Sequence, residues 1–180
     1  MQSAHDVCAK FKEVYFDYKQ RSKNTWKITS NALFVRLDAF QERCQDIVQM
    51  SQTIIQFRNL SNIEIGNTKG ATLTTAVKQI FDEFQEAQNL FCSVNYDILD
   101  IEQREFDDDF YRFRSSIKEL DRRVSAVLTQ AFDDCDTIIG KFKMLESFDK
   151  MLSRPIILDE LEKKQVVLIE LCRSDVKKTS

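Results

Sequence analysis

Two stretches of this chain carry apolar residues at alternating steps of three and four, and such stretches must be helices lying against other helices. Between Asn31 and Arg58, the residues Leu33, Leu37, Phe40, Cys44, Ile47, Ser51 and Ile54 recur at steps of 4, 3, 4, 3, 4 and 3. A helix of 3.6 residues per turn gathers those positions on one face. Phe34, Val48, Ile55 and Phe57 widen the stripe beyond a two-stranded seam, as suits a helix with several neighbours. The rod so defined is on the order of 40 Å long. Further on, Phe106, Phe110, Phe113, Ile117, Leu120, Val124, Val127 and Ala131 follow steps of 4, 3, 4, 3, 4, 3 and 4. Two long helices capable of antiparallel packing are expected, and the other segments read as what covers them.

Composition agrees. Among 180 residues there are 3 Gly and 1 Pro, too few for many turns or strands. Fourteen Phe and 43% hydrophobic residues suffice for a core. The expected fold is all-α, an elongated multi-helix bundle of about six helices. A first helix from Ser3 to Arg21, with Ser3 as N-cap, would bury Ala4, Val7, Phe11, Val14 and Tyr18, with Tyr15 and Phe16 beside them. After a polar connection over 22–25, Trp26 and Ile28 would staple the entry of the long helix against Phe34. Residues 59–70, with Ile63, Ile65, Gly66 and Gly70, suggest a short extended segment and a turn. A third helix from Thr72 to Phe91 would bury Leu73, Val77, Ile80, Phe84, Ala87 and Phe91, with Phe81 and Leu90 beside them. Asp100 and Gln103 resemble a capping box for the fourth helix. Asp136 is placed to cap a fifth, from Thr137 to Phe148, with Ile138, Ile139, Phe142, Leu145 and Phe148 as its apolar face. Ser153-Arg154-Pro155 then interrupts. A last helix, about Asp159 to Val176, holds Leu161, Leu168, Leu171 and Cys172, and 177–180 is expected to fray. In domain terms, 1–135 reads as one bundle and 136–180 as shorter helices continuing it, truncated from a longer chain.

Several chemistries are disfavoured. A net charge of −3 and a pI near 5.3, with Lys and Arg interleaved among acids, do not make a nucleic-acid surface. No apolar run has the length of a membrane span, and no signal-peptide core follows Met1. The five cysteines, Cys8, Cys44, Cys92, Cys135 and Cys172, are widely spaced and read as reduced thiols of a cytosolic-type compartment. His5 is the single histidine, which leaves a zinc site short of ligands and most acid–base schemes without a base. Gly66 to Gly70 superficially suggests a phosphate loop, but Lys69 precedes the second glycine and no buried strand leads in. The acids Glu102, Glu105, Asp107, Asp108 and Asp109 suit the positive end of a helix better than a calcium loop. Glu119 and Arg123 are spaced as a surface (i, i+4) pair. No catalytic, cofactor-binding or metal-binding residue is therefore expected, and no cofactor.

One clue is more specific. Trp26-Lys-Ile is followed by Phe34-Val-Arg-Leu-Asp-Ala-Phe40 and Glu42-Arg43-Cys44. Then come Ile63-Glu-Ile-Gly66 with Thr68-Lys-Gly70, Leu120-Asp-Arg-Arg123, Gln130-Ala-Phe-Asp-Asp-Cys135 and Ser153-Arg-Pro155. In this order the runs resemble the N-terminal tail region of dynein heavy chains, most closely the axonemal outer-arm type, from Trp26 to about Leu171. The resemblance implies a non-motor segment that scaffolds assembly and transmits force in ciliary microtubule-based movement. The partners it implies are dynein intermediate and light chains, other dynein heavy chains and axonemal docking factors, with neither nucleic acid nor membrane. The implied location is the cytoplasm and cytoskeleton, in the axoneme of a cilium or flagellum. It supplies no catalytic residue, since the family's ATPase ring and stalk lie elsewhere in the heavy chain. The residues alone leave open a free-standing helical adaptor or spectrin-like tethering module, and an enzyme or ligand carrier with a polar site inside the bundle.

Overall fold

A computed structural model describes residues 1–21, 30–63, 65, 70–151 and 154–179. Six α-helices follow in order: α1 Gln2–Arg21, α2 Ser30–Phe57, α3 Gly70–Cys92, α4 Glu105–Asp133, α5 Ile138–Ser147 and α6 Pro155–Thr179. Short 3-10 turns occupy Arg58–Asn62 and Asp149–Met151, and no strand occurs among the described residues. The protein is all-α, as its periodicity demands. The expectations for 22–25, Trp26 and Ile28, and for Glu64 and 66–69, fall outside the described residues. The chain forms two compact units, Met1–Thr53 with Val94–Phe110, and Ile54–Ser93 with Tyr111–Ser180.

In the first unit, α1 turns an unexpected face inward. Tyr15 is buried, edge-on to Phe34 of α2 at 4.9 Å between ring centroids. Val7, Phe11, Val14 and Tyr18, expected inside, are exposed. Polar groups on that face are paired across to α2. The Lys12 ammonium donates to Asp38 and Gln41 of α2, and the Gln41 amide donates to the His5 carbonyl at 3.2 Å. Ala4, Cys8 and Lys12 are half-buried on that side, the lysine stem covering apolar surface while its head is paired.

On α2, Phe34, Cys44, Ile47 and Met50 are buried, and Leu37 and Phe40 half-buried. Ser51, a stripe position, faces out and its hydroxyl donates to the Ile47 carbonyl at 2.8 Å. Ile55 and Val35 are exposed. The buried stripe passes from Cys44 and Ile47 to Met50 rather than Ser51. Burial also pushes the Cys44 thiol up from its ordinary range, with neighbouring Cys8 adding to the effect.

In the second unit the periodic reading holds most closely. Leu73, Val77, Ile80, Phe84 and Phe91 of α3 are buried, Ala87 is half-buried, and Leu90 is out in solvent. Phe84 stacks on Phe57 at 4.8 Å, and Phe91 packs on Phe113 at 5.9 Å. The 3-10 turn Arg58–Asn62 inserts Leu60 against α3 and ends at Ile63, which is extended and buried. Along α4, Phe113, Ile117, Leu120, Val124 and Ala131 are buried as expected, but Leu128 replaces Val127, because a straight helix drifts by about 20° per heptad against a strict seven-residue repeat.

The helix ends needed correction. Thr137, not Asp136, caps α5, its hydroxyl accepting from the Gly140 amide at 3.0 Å. A Cβ on Gly140 would come within 2.8 Å of that hydroxyl oxygen, so glycine leaves the cap room. Pro155 begins α6 rather than merely interrupting the chain, because the first helical position needs no amide donor. Asp100 does not cap α4. Its carboxylate closes an Asx turn on the Glu102 amide at 3.0 Å, and α4 starts later, at Glu105. The acids Glu105, Asp107 and Asp108 do fall in the first turn of α4.

Two substitutions on α3 separate packing from propensity. Phe84→Ala should lower unfolding free energy by about 3–5 kcal/mol through lost burial and a residual cavity. Leu90→Ala, at a side chain 74% exposed, should change it by less than about 0.5 kcal/mol. Urea titrations followed by circular dichroism measure both, and equal losses would contradict the assignment of the buried face.

Candidate functional site

The polar features that stand out are two arginines, Arg43 buried and Arg154 half-buried. Arg43 projects from α2 and is only 5% exposed. One guanidinium nitrogen donates to the carbonyls of Ile98 at 3.1 Å and Asp100 at 2.9 Å. The other donates to the Gln103 carbonyl at 3.3 Å and an Asp107 carboxylate oxygen at 3.1 Å. Its plane lies 3.9 Å from the Phe106 ring centroid, so the cation is stacked as well as bonded. The segment 93–104 forms turns between helices, and turns leave carbonyls without helical partners. One rigid fork satisfies three of them at once, which a lysine ammonium on a flexible stem does less well. Asp107 is largely exposed, so the ion pair itself contributes less than the carbonyl bonds.

The same segment holds Tyr96, whose phenol donates to Asp109 at 2.9 Å. Burial first, and then this bond to a carboxylate, push the Tyr96 hydroxyl up to about 12. Nearby on the surface, Arg36 pairs with Glu102, which raises the arginine further.

In the second unit, Arg154 precedes α6 and donates through two nitrogens to both oxygens of Asp121 on α4, itself buried. A third contact reaches the Gln56 side-chain oxygen at 3.2 Å, and the guanidinium lies 5.1 Å from the Phe57 ring centroid. A buried bidentate pair of this kind costs desolvation to form, and costs more if one partner is removed. Farther along, Thr129 donates to Glu160 at 2.7 Å, and Lys164 pairs with Asp133 at 3.0 Å while lying over Phe132.

The expected Glu119–Arg123 pair is replaced. Glu119 pairs with Arg122 at 3.1 Å, and Arg123 reaches across to Glu83 of α3. That bond holds the Glu83 carboxyl below its usual range and raises Arg123. His5 stands on α1 beside Asp6. All five cysteines are free thiols. Among the described residues, no cluster of three or more His, Cys, Asp or Glu is placed to hold a metal ion, and no helix is long and apolar enough to cross a membrane. Lys69 lies outside the described residues.

The arginine locks were not foreseen as such. Their signal was indirect: Arg43, Asp121 and Arg154 each sit inside one of the short runs that carry the family resemblance.

Helices closed on apolar stripes and pinned by guanidinium groups define a helical-bundle packing module. The chain belongs to the family described as dynein heavy chain, N-terminal region 1, whose model matches residues 1–180. It is 45% identical over 172 residues, or 93% of its length, to the dynein beta chain of the flagellar outer arm of Chlamydomonas reinhardtii. It is 36% identical over 163 residues (91%) to the ciliary dynein beta chain of Tripneustes gratilla, and 35% over 173 residues (96%) to dynein axonemal heavy chain 17 of Mus musculus. The chain spans about 4% of the length of these relatives, and the matching region is the N-terminal one, not the motor domain.

The locks yield two tests. Arg43→Lys should reduce stability by about 1–3 kcal/mol, because carbonyls 98, 100 and 103 lose their shared donor. Hydrogen exchange should show amides of 96–104 opening faster, and unchanged exchange there would remove Arg43 as the clamp. The second test concerns alkali. A phenol whose folded pKa is raised contributes stability that is full below its ordinary value near 10 and is lost as pH climbs toward about 12. Unfolding free energy should therefore fall across that window in the native chain, and Tyr96→Phe should flatten the fall.

Proposed function

We propose that this chain is a non-motor, structural segment of an axonemal dynein heavy-chain tail. It scaffolds assembly with intermediate and light chains and with partner heavy chains, and it transmits force in ciliary or flagellar movement. The observation that carries this reading is the family match over the whole chain, joined to a fold whose interior is apolar stripe and arginine lock. Packed helices suit a load-bearing role. Each buried Leu or Phe contributes roughly 1.5–3 kcal/mol, and neighbours along a stripe share the load. The curated relatives are flagellar outer-arm, ciliary and axonemal chains, which supports an axonemal location. The ATPase activity of such a heavy chain would reside in its motor, so the segment itself turns over no nucleotide in this reading. Residues 1–135 and 136–180 would act as successive parts of one tail.

Immobilised recombinant chain should retain axonemal dynein intermediate chains from a high-salt axonemal extract, while a scrambled-surface control of equal charge should not. Retention of neither intermediate, light nor heavy chains would reduce the segment to a spacer and defeat the scaffolding reading.

A further inference from the structure

Within the first unit, α1 sits on α2 by the less apolar of its two faces. Of its side chains only Tyr15 is buried, while Val7, Phe11 and Val14 face out. The contacts between the two helices set a register. Tyr15 meets Phe34, Lys12 meets Asp38, and the His5 carbonyl meets Gln41. The α2 partners climb as the α1 positions descend, so the helices run antiparallel. Gln41 also accepts from Lys12, and so lies opposite the turn of α1 between His5 and Lys12. Cys8 occupies that turn. Cys44 follows Gln41 by three residues and lies on the same side of α2.

Exposure agrees with this register. Cys44 has no solvent-exposed surface, and Cys8 is half-buried although its neighbour Val7 is out in solvent. The two sulfurs also lie within electrostatic reach. Burial raises the Cys44 thiol most, and charge on Cys8 raises it further. Helices packed at roughly 8–10 Å between axes, with Cα atoms on cylinders of about 2.3 Å radius, bring facing Cα atoms to about 3.5–5.5 Å. A disulfide spans about 4.4–6.8 Å between Cα atoms.

We propose that Cys8 and Cys44 are a redox latch, joined by exchange with glutathione disulfide, that fixes α1 on α2. Both are free thiols in the resting state. Cys8 is the more accessible, so it reacts first. Its thiolate attacks one sulfur of glutathione disulfide, forming a mixed disulfide and expelling one glutathione thiolate. Cys44 then loses its proton to solvent and attacks the Cys8 sulfur. The Cys8–Cys44 bond forms, the bond to glutathione breaks, and the second glutathione leaves. Two protein thiols are oxidised and one glutathione disulfide is reduced to two thiols. The bond holds α1 on the face that carries Tyr15 and Lys12, and so sets the direction in which Val7, Phe11 and Val14 point. Reduction returns α1 to its few native contacts, where local opening is easiest.

The dynein complex containing this heavy chain, incubated with glutathione disulfide, then alkylated and digested without reduction, provides the test. Mass spectrometry should find the tryptic peptides of Cys8 and Cys44 joined, lighter than their sum by two hydrogens. Cys92, exposed at the end of α3, should carry glutathione alone. Hydrogen exchange of α1 amides should slow at least about tenfold on oxidation and recover with dithiothreitol. Cys8→Ser should abolish the link and the slowing, and leave exchange in the reduced protein unchanged. Cys8 glutathionylated with Cys44 still a thiol overturns the proposal, and so does a link that forms only in urea. A link that leaves α1 exchange unchanged defeats the latch as well. None of these failures touches the scaffolding role, which does not depend on the thiols.

Discussion

The apolar stripe of α4 is the constraint on which the other elements depend. Phe106 and Phe110 are buried in the first unit, and the stripe from Phe113 to Ala131 in the second. The opposite face is charged, so only one orientation keeps both sides in suitable surroundings. Several other anchors meet this helix. In the first unit, Arg43 of α2 lies over Phe106. In the second, Phe91 of α3 packs on Phe113, Arg154 grips Asp121, and Glu160 of α6 accepts from Thr129. Burial of a Phe or Leu contributes roughly 1.5–3 kcal/mol, while an exposed ion pair contributes about 0–1, so the stripe decides the packing.

A stripe alone settles less than it contributes. Hydrophobic contact is non-directional, and a helix can slide by a turn along a neighbour without changing the area buried by much. Directional groups remove that freedom. Arg43 finds acceptors at 98, 100, 103 and 107, and no other register offers the same set of carbonyls. Arg154 needs Asp121 and Gln56 together. These forks add modest net stability against their desolvation cost, but they fix position.

The helices were legible because a 3.6-residue period survives single exceptions, and α3 shows this best: its seam residues Leu73, Val77, Ile80, Phe84, Ala87 and Phe91 are buried or half-buried, and only Leu90 beside them turns out to solvent. The choice of face on α1 was not legible. Val7, Phe11, Val14 and Tyr18 form a better apolar series than Cys8, Lys12 and Tyr15, yet the face that packs is the one carrying Tyr15, edge-on to Phe34, with Lys12 paired to Asp38 and Gln41 beside it. Pattern counts cannot weigh a partner that lies 26 residues away. Caps failed for a local reason. Asp136 and Thr137 both offer an oxygen, and only the backbone angle at Thr137 aims one at the Gly140 amide. The arginine locks were hidden because their acceptors are mainly carbonyls, which every residue has and which no sequence pattern marks.

The mismatch on α1 has a counterpart on α5 and α6. In each case a periodic apolar series is written into the sequence and left facing solvent: Val7, Phe11 and Val14 on α1, Ile139 and Phe142 on α5, Val166 and Ile169 on α6. These residues follow the same spacing rules as the buried stripes of α3 and α4. Periodicity reports the total demand of a helix for neighbours, while burial reports how much of that demand its own 180 residues meet. Where the two agree, as on α3, the helix is an internal part. Where they diverge, as on α1, α5 and α6, the excess is apolar surface that the chain presents outward.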